Sequence, residues 1–224
     1  MKYIITGTSS GLGYCLAERL ILRGQVAGIS RTIGKSDGLY KLGEYLHVEF
    51  DFSLPFKEKR FQILIYELQN FINNEPFTLV LNAAYFHAGD ERLSKSQLTA
   101  LFEVNVFSLI SLVQALEALN LRRVFIVNSI SGLIGQSNQH EYSASKHAVM
   151  GFTRSLAKKA KNATYDVMCI NPGGMKTELW NKYVGVNTSD FLSPIAVADV
   201  CISLIDFPQR AFIEYFSLIP PSDV

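Results

Sequence analysis

Charge is scarce in this chain and evenly split. Charged residues make up 18% of its 224 positions, against about 25% in an average domain. Lys plus Arg total 21 and Asp plus Glu 20. A net charge of +1 builds no field that would gather nucleic acid or an anionic membrane surface, so a small molecule is the expected partner. Cysteine is nearly absent. Cys15, Cys169 and Cys201 form no CxxC pair and stand near no histidine at ligand spacing, so neither a metal site nor a disulfide frame is expected and a reduced, cytoplasmic location fits. The start, Met1-Lys2-Tyr3-Ile4-Ile5, is too short an apolar run for a signal peptide before Thr6-Gly7 ends it. The longest apolar stretch, Ala100 to Leu119, is interrupted by Glu103, Asn105, Gln114 and Glu117, so it reads as a buried amphipathic helix and not as a membrane span. What is abundant is apolar surface. At 48% of the chain it must be buried in a core or between subunits.

Short apolar runs alternate with helical patterns. Lys2 to Thr6, Gln25 to Ser30, Leu46 to Asp51, Thr78 to Asn82, Arg123 to Asn128, Asp166 to Asn171 and Phe212 to Ile219 read as strands. Leu12 to Arg23, Lys57 to Asn73, Ser94 to Leu119 and Tyr142 to Lys161 carry apolar residues at helical spacing. Strand alternating with helix means βαβ units, whose right-handed crossovers build a doubly wound parallel sheet. No repeat or linker divides residues 1–224, so one α/β domain is expected.

The first strand runs straight into Thr6-Gly7-Thr8-Ser9-Ser10-Gly11-Leu12-Gly13 and then a helix. Glycine lets backbone approach a diphosphate, and the free N–H groups of a helix N-terminus favour its charge. The spacing is G-x-x-x-G-x-G. Further along, Tyr142-Ser143-Ala144-Ser145-Lys146 puts a phenol and an ammonium on one helix face. Ser129 lies 13 residues earlier at a strand end, Asn105 sits in Val104-Asn105-Val106, and Asn171-Pro172-Gly173-Gly174-Met175-Lys176-Thr177 follows the sixth strand.

In this order and on these elements, the segments resemble the short-chain dehydrogenase/reductase family, in its NADP(H)-preferring branch. The resemblance implies a Rossmann fold and a single oxidoreductase domain. It implies Tyr142, Lys146, Ser129 and Asn105 as the catalytic set. Ser131, two residues beyond Ser129, is a rival that shapes the pocket. Leu81-Asn82-Ala83-Ala84 takes the place of the family's Asn-Asn-Ala-Gly; only the second Asn and the Ala are kept, and Ala84 replaces a glycine. The resemblance places the cofactor against Gly7, Ser9, Ser10, Gly11, Leu12 and Gly13. Asp51 and Phe52 meet the adenine, Asn82, Ala83 and Ala84 follow strand four, and Pro172, Gly173, Met175 and Thr177 hold the carboxamide, beside Tyr142 and Lys146.

A carbonyl reduction needs hydride on carbon and a proton on the alkoxide; the nicotinamide gives the first and Tyr142 is the expected source of the second. A free Tyr has a pKa of about 10, so Lys146, one turn away, is expected to stabilise the phenolate. The resemblance adds that Lys146 binds the nicotinamide ribose and that the Asn105 side chain helps hold a water near it. Ser129 would donate to the substrate oxygen. Trp180 to Ser193 has the composition of a flap, and Phe86, His87, Gln136, Gln139 and His140 sit in loops at the strand ends; together they suggest a hydrophobic or aromatic ketone, aldehyde or diketone.

Cofactor choice is read at Gly28-Ile29-Ser30-Arg31-Thr32, where no acid ends the second strand and Arg31 can hold a 2′-phosphate, with Lys35 as a second cation in the loop that follows. NADP(H) is therefore expected. The long helices at 94–119 and 142–161 carry apolar residues on more than one face, which predicts a homodimer or homotetramer, the dimer favoured. The alternative is a catalytically silent NADP(H)-binding sensor on the same fold; all four active-site positions are filled, which speaks against it.

Overall fold

A computed structural model describes residues 1–54, 58–89, 91–183, 185–208, 212–213 and 216–221. Seven parallel strands, β1 (Lys2–Thr6), β2 (Gln25–Ser30), β3 (Tyr45–Glu49), β4 (Phe77–Leu81), β5 (Leu121–Val127), β6 (Asp166–Pro172) and β7 (Ser217–Leu218), form one sheet in the order β3-β2-β1-β4-β5-β6-β7. The order reverses between β1 and β4, and such a switch point opens a crevice at the carboxyl edge of an open α/β sheet. Every residue of β1, β4 and β6 is buried. Alternate side chains therefore feed two cores, as a sheet covered on both faces requires.

On one face Ile4, Leu79 and Val124 pack with Leu64 and Leu68 of α2 (Glu58–Ile72), and with Leu112 and Val113 of α4 (Ser108–Leu116). On the other, Ile5, Val80 and Phe125 pack with Leu16 and Leu20 of α1 (Gly11–Leu20), and with Ala198 and Cys201 of α6 (Pro194–Ile205). Helix α3 (Lys95–Phe102) starts at a capping box between Ser94 and Gln97, which satisfies donors that a helix N-terminus otherwise leaves open. Helix α5 (His140–Ala160) completes the set.

The expected elements are present, with ends displaced by at most three residues outside the seventh strand. Four differences matter. The span 94–119 is not one α-helix: a π turn at Glu103–Phe107 separates α3 from α4 and carries Asn105. A 3-10 segment, Gly34–Lys41, and helix α6 had not been read from the pattern. The seventh strand is two residues long, with Ile213 bridging to Met168; Glu214 and Tyr215 within the expected range, like Lys57 at the start of the second expected helix, lie outside the described residues. Among the described residues one helical path, Lys95–Leu116, is apolar and long enough to cross a membrane by composition alone, with mean hydropathy 1.6 and a third of its apolar window buried. Its inner face belongs to the core described above.

Candidate active site

The glycine loop joins β1 to α1 in a conformation that only its glycines permit. Gly7 and Gly11 have φ of +77° and +57°, the left-handed region. At Gly13 a Cβ would stand 2.1 Å from Gly7 O, so helix and strand meet here with no room for a side chain. Asn82 Nδ2 donates to Thr6 O at 3.0 Å, and Thr6 Oγ1 accepts from the Asn82 and Ala83 amides at 2.9 Å each. The retained Asn82 thus ties the end of β4 to the loop. Close approach falls on Ala83, whose Cα is 3.0 Å from the position of a Gly7 Cβ; the substituted Ala84 is exposed. Across the groove, the Thr177 methyl lies 3.4 Å from the position of a Gly11 Cβ. Helix α1 begins at Ser10 with no side-chain cap. These are the features a dinucleotide needs: backbone without side chains, an open helix N-terminus and a facing loop.

At the adenosine end, Arg31 is exposed and, among the described residues, has no carboxylate partner. Ser30 is buried, donating to Thr32 O at 2.8 Å and lying 3.1 Å from His47 Nε2. Lys35 departs from the expectation of a second free cation, since its ammonium is paired with Glu178 at 2.6 Å. Asp51 Oδ1 accepts from the amide and hydroxyl of Ser53, and Phe52 is buried beside Phe50.

Ser129 ends the strand-to-loop step after β5, and Tyr142 and Lys146 lie one turn apart on the buried face of α5. All three are at most 9% exposed. Burial raises the Tyr142 pKa to about 12, against the pull of a hydrogen bond with Ser129. Burial also lowers the Lys146 pKa to about 8. The expectation that Lys146 holds the phenol pKa down is not met in this geometry. The ammonium lies 5.7 Å from the centre of the Tyr142 ring and donates to Val127 O at 3.4 Å, so desolvation outweighs any attraction and favours the neutral form of each group.

Asn105 is tied to its protein neighbours. The π turn aims its amide at the backbone of Tyr85, accepting from the N–H at 2.7 Å and donating to the carbonyl at 2.9 Å, and its NH2 also donates to Ser145 Oγ at 2.9 Å. Ser145 in turn donates to Tyr142 O at 2.7 Å. The side chain is thus committed to bracing the loop after β4 against the turn that carries Tyr142. Ser145 was missed from the sequence although it lies inside the Tyr-Lys motif, three residues from Tyr142, the helical spacing that made the bond possible.

A cleft of 180 Å³ opens over Ser129 and Tyr142, walled by Ser131, Gln136 and Gln139 on one side and Phe86, Trp180 and Phe191 on the other. Ser131 Oγ donates to Gln139 Oε1 at 2.9 Å, so Ser131 shapes the wall. Phe86 packs edge-on against Tyr142 with ring centres 4.9 Å apart, and against Trp180 and Tyr183 at 5.1 and 5.4 Å. Trp180 Nε1 donates to Met175 O at 2.8 Å, joining the expected flap to the loop of Pro172, Gly173 and Met175. Val184 of that flap is outside the described residues. Phe191, not singled out from sequence, fills the space left by Gly174, where a Cβ would meet its ring at 2.9 Å. His140 is exposed at the start of α5, and His87 Nε2 lies 3.1 Å from Glu91 O; neither lines the cleft.

Known proteins are similar to this chain in sequence and fold. The 3-oxoacyl-(acyl-carrier-protein) reductase of Buchnera aphidicola subsp. Schizaphis graminum is 30% identical over 187 residues, 79% of this chain and 74% of that protein. The NADPH-dependent 3-dehydrocapnine reductase of Ornithobacterium rhinotracheale is 28% identical over 199 residues, 81% of this chain and 68% of that protein. A short-chain dehydrogenase structure from Streptomyces avermitilis superposes with a TM-score of 0.82 at 20% identity, over 97% of this chain and 88% of the other. The family model of the short chain dehydrogenases matches residues 2–185, from the first strand through the catalytic helix to the flap. The chain therefore belongs to the short-chain dehydrogenase family of oxidoreductases.

Proposed function

We propose that this enzyme is an NADP(H)-dependent oxidoreductase that interconverts a carbonyl and an alcohol, with Tyr142 as its acid and base. The observation that carries the reading is the meeting of Tyr142 and Ser129 in one cleft, with Lys146 buried one helical turn from Tyr142 and with Thr177, which also lines the cleft, facing Gly11 of the glycine loop. When bound, the nicotinamide supplies or accepts the hydride. Gly7 to Gly13 and the start of α1 would hold the diphosphate, Met175 and Thr177 the carboxamide, and Arg31 a 2′-phosphate.

The protonated phenol is held ready by burial, so Tyr142 gives its proton only as negative charge grows on the substrate oxygen. Ser129, bonded to that phenol, donates to the same oxygen, and its contribution strengthens as charge develops. Lys146, with a pKa near 8, exchanges protons close to neutrality and can reload Tyr142. Asn105 and Ser145 fix the helix turn on which this geometry depends. The aromatic wall of Phe86, Trp180 and Phe191 excludes water and favours an apolar or planar ketone, aldehyde or diketone.

Cofactor choice rests on the exposed Arg31, which has no carboxylate partner among the described residues, and the NADPH dependence of the dehydrocapnine reductase agrees with it. A homodimer is supported by the apolar outer face of α3 and the π turn, where Leu98 and Phe107 are exposed; light scattering at micromolar concentration checks it, and a clean monomer removes it. The deciding experiment is NADPH oxidation against aromatic, quinone, diketone and acyl-thioester carbonyls, with NADH alongside. Turnover of none of them with either cofactor overturns the reading.

A further inference from the structure

Gly28 stands inside β2, where no turn calls for glycine. A Cβ at this position would lie 2.1 Å from the Tyr45 hydroxyl and 2.5 Å from Thr8 Oγ1. A strand glycine often marks the close passage of another group, and here the group is a phenol. Tyr45, the first residue of β3, reaches over β2 to the glycine loop, where its hydroxyl shares a 3.0 Å hydrogen bond with Thr8 Oγ1. Thr8 is fully buried and Tyr45 is 7% exposed.

The 3-10 segment Gly34–Lys41 grips the same stretch from its backbone side. Ser36, also fully buried, donates through Oγ to Thr8 O at 2.5 Å, and Lys35 N donates to Ser9 O at 2.9 Å. Gly34, at φ +54°, leaves 2.5 Å between the position of a Cβ and Ser9 O. Two successive carbonyls of the loop are thereby fixed. In a trans peptide the C=O and the following N–H point in opposite directions, so the amides of Ser9 and Ser10 are turned away from Ser36 and Lys35, at the entrance to α1.

We infer that Tyr45 is a positioning residue for the phosphate cradle: through Thr8, and together with Ser36, it fixes the Ser9 and Ser10 amides for a phosphate of the dinucleotide. The inference rests on the dinucleotide reading given above. Tyr45 acts on the cofactor through Thr8 and Ser36, both hydrogen-bonded to its hydroxyl, and Gly28 is the residue that gives that hydroxyl passage.

Tyr45→Phe keeps the ring and its edge contact with Tyr40 while deleting the hydroxyl. Nicotinamide fluorescence should show NADPH binding about 3- to 10-fold weaker, the loss expected of one hydrogen bond, with turnover at saturating cofactor within about twofold of wild type. Thr8→Val should also weaken NADPH binding, and the double variant should lose less than the sum of the two single ones, since both remove the bond between Tyr45 and Thr8. Ser36→Ala removes the grip on the Thr8 carbonyl together with the contact to the Tyr45 hydroxyl and should also weaken binding. A loss confined to NADPH places the fixed amides at the 2′-phosphate; an equal loss of NADH places them at the diphosphate. Unchanged affinity in Tyr45→Phe and Ser36→Ala, additive losses in the double variant, or turnover falling in step with affinity overturns the inference. Wild-type protein that binds neither cofactor overturns the dinucleotide reading itself, and is seen before any variant is made.

Discussion

Lys146 and Arg31 stand at the carboxyl edge of the same sheet, in opposite surroundings. Lys146 is 3% exposed, among Tyr142, Val127 and Cys169, and burial lowers its pKa to about 8. Arg31 is exposed, with no carboxylate beside it among the described residues. Chemistry and recognition ask different things of a cation. A proton carrier must have a pKa near the working pH, which desolvation supplies at a cost in stability. A phosphate clamp must stay charged and reachable, which an arginine in solvent does.

The comparison breaks first at its catalytic end. Tyr142→Phe should lower turnover by at least about 10²-fold, within the roughly 10² to 10⁴ of general acid catalysis, while NADPH affinity stays nearly intact. A variant keeping more than a tenth of wild-type turnover would remove Tyr142 as the proton donor.

Lys146→Met tests the cost of burial. A lysine whose pKa falls from 10.5 unfolded to about 8 folded penalises the fold below pH 8, because the unfolded chain binds the extra proton; the penalty is relieved as pH rises from 8 to 10.5. The variant should lose turnover and cofactor affinity, yet gain up to about 3 kcal/mol of stability at pH 7. Urea midpoints at pH 7 and pH 10 check this: the gain should shrink at the higher pH, and a loss of stability at both would show that the burial cost is misplaced.

Arg31→Ala sharpens the recognition end. If the guanidinium provides a charged bond of roughly 1.5 to 3 kcal/mol, NADPH weakens about 10- to 150-fold and NADH hardly changes. Equal losses, or a wild-type preference for NADH, would sink the NADP(H) assignment. The smallest effect belongs to Lys35, whose partner Glu178 is exposed. Such pairs contribute little, so Glu178→Gln should tighten NADPH by less than about threefold, and any weakening would mean that the pair itself braces the site.

Much of this was written locally. The glycine spacing, the four-residue step from Tyr142 to Lys146, and Ser129 at a strand end each depend on neighbours in the chain. Apolar alternation located strands and helices because burial on a sheet or helix face imposes its own period. That is why family and fold were legible from residues 2–185. What the sequence could not fix depends on partners distant in the chain. The π turn exists where Asn105 meets Tyr85 and Ser145, 20 and 40 residues away. Lys35 finds Glu178 across the groove, and Phe86 meets Trp180 only once β4 and β6 lie in one sheet. The pKa values of Tyr142 and Lys146 belong to the same class. Residue types set their ordinary values, but desolvation is a property of everything packed around them, and only the tertiary structure brings that together.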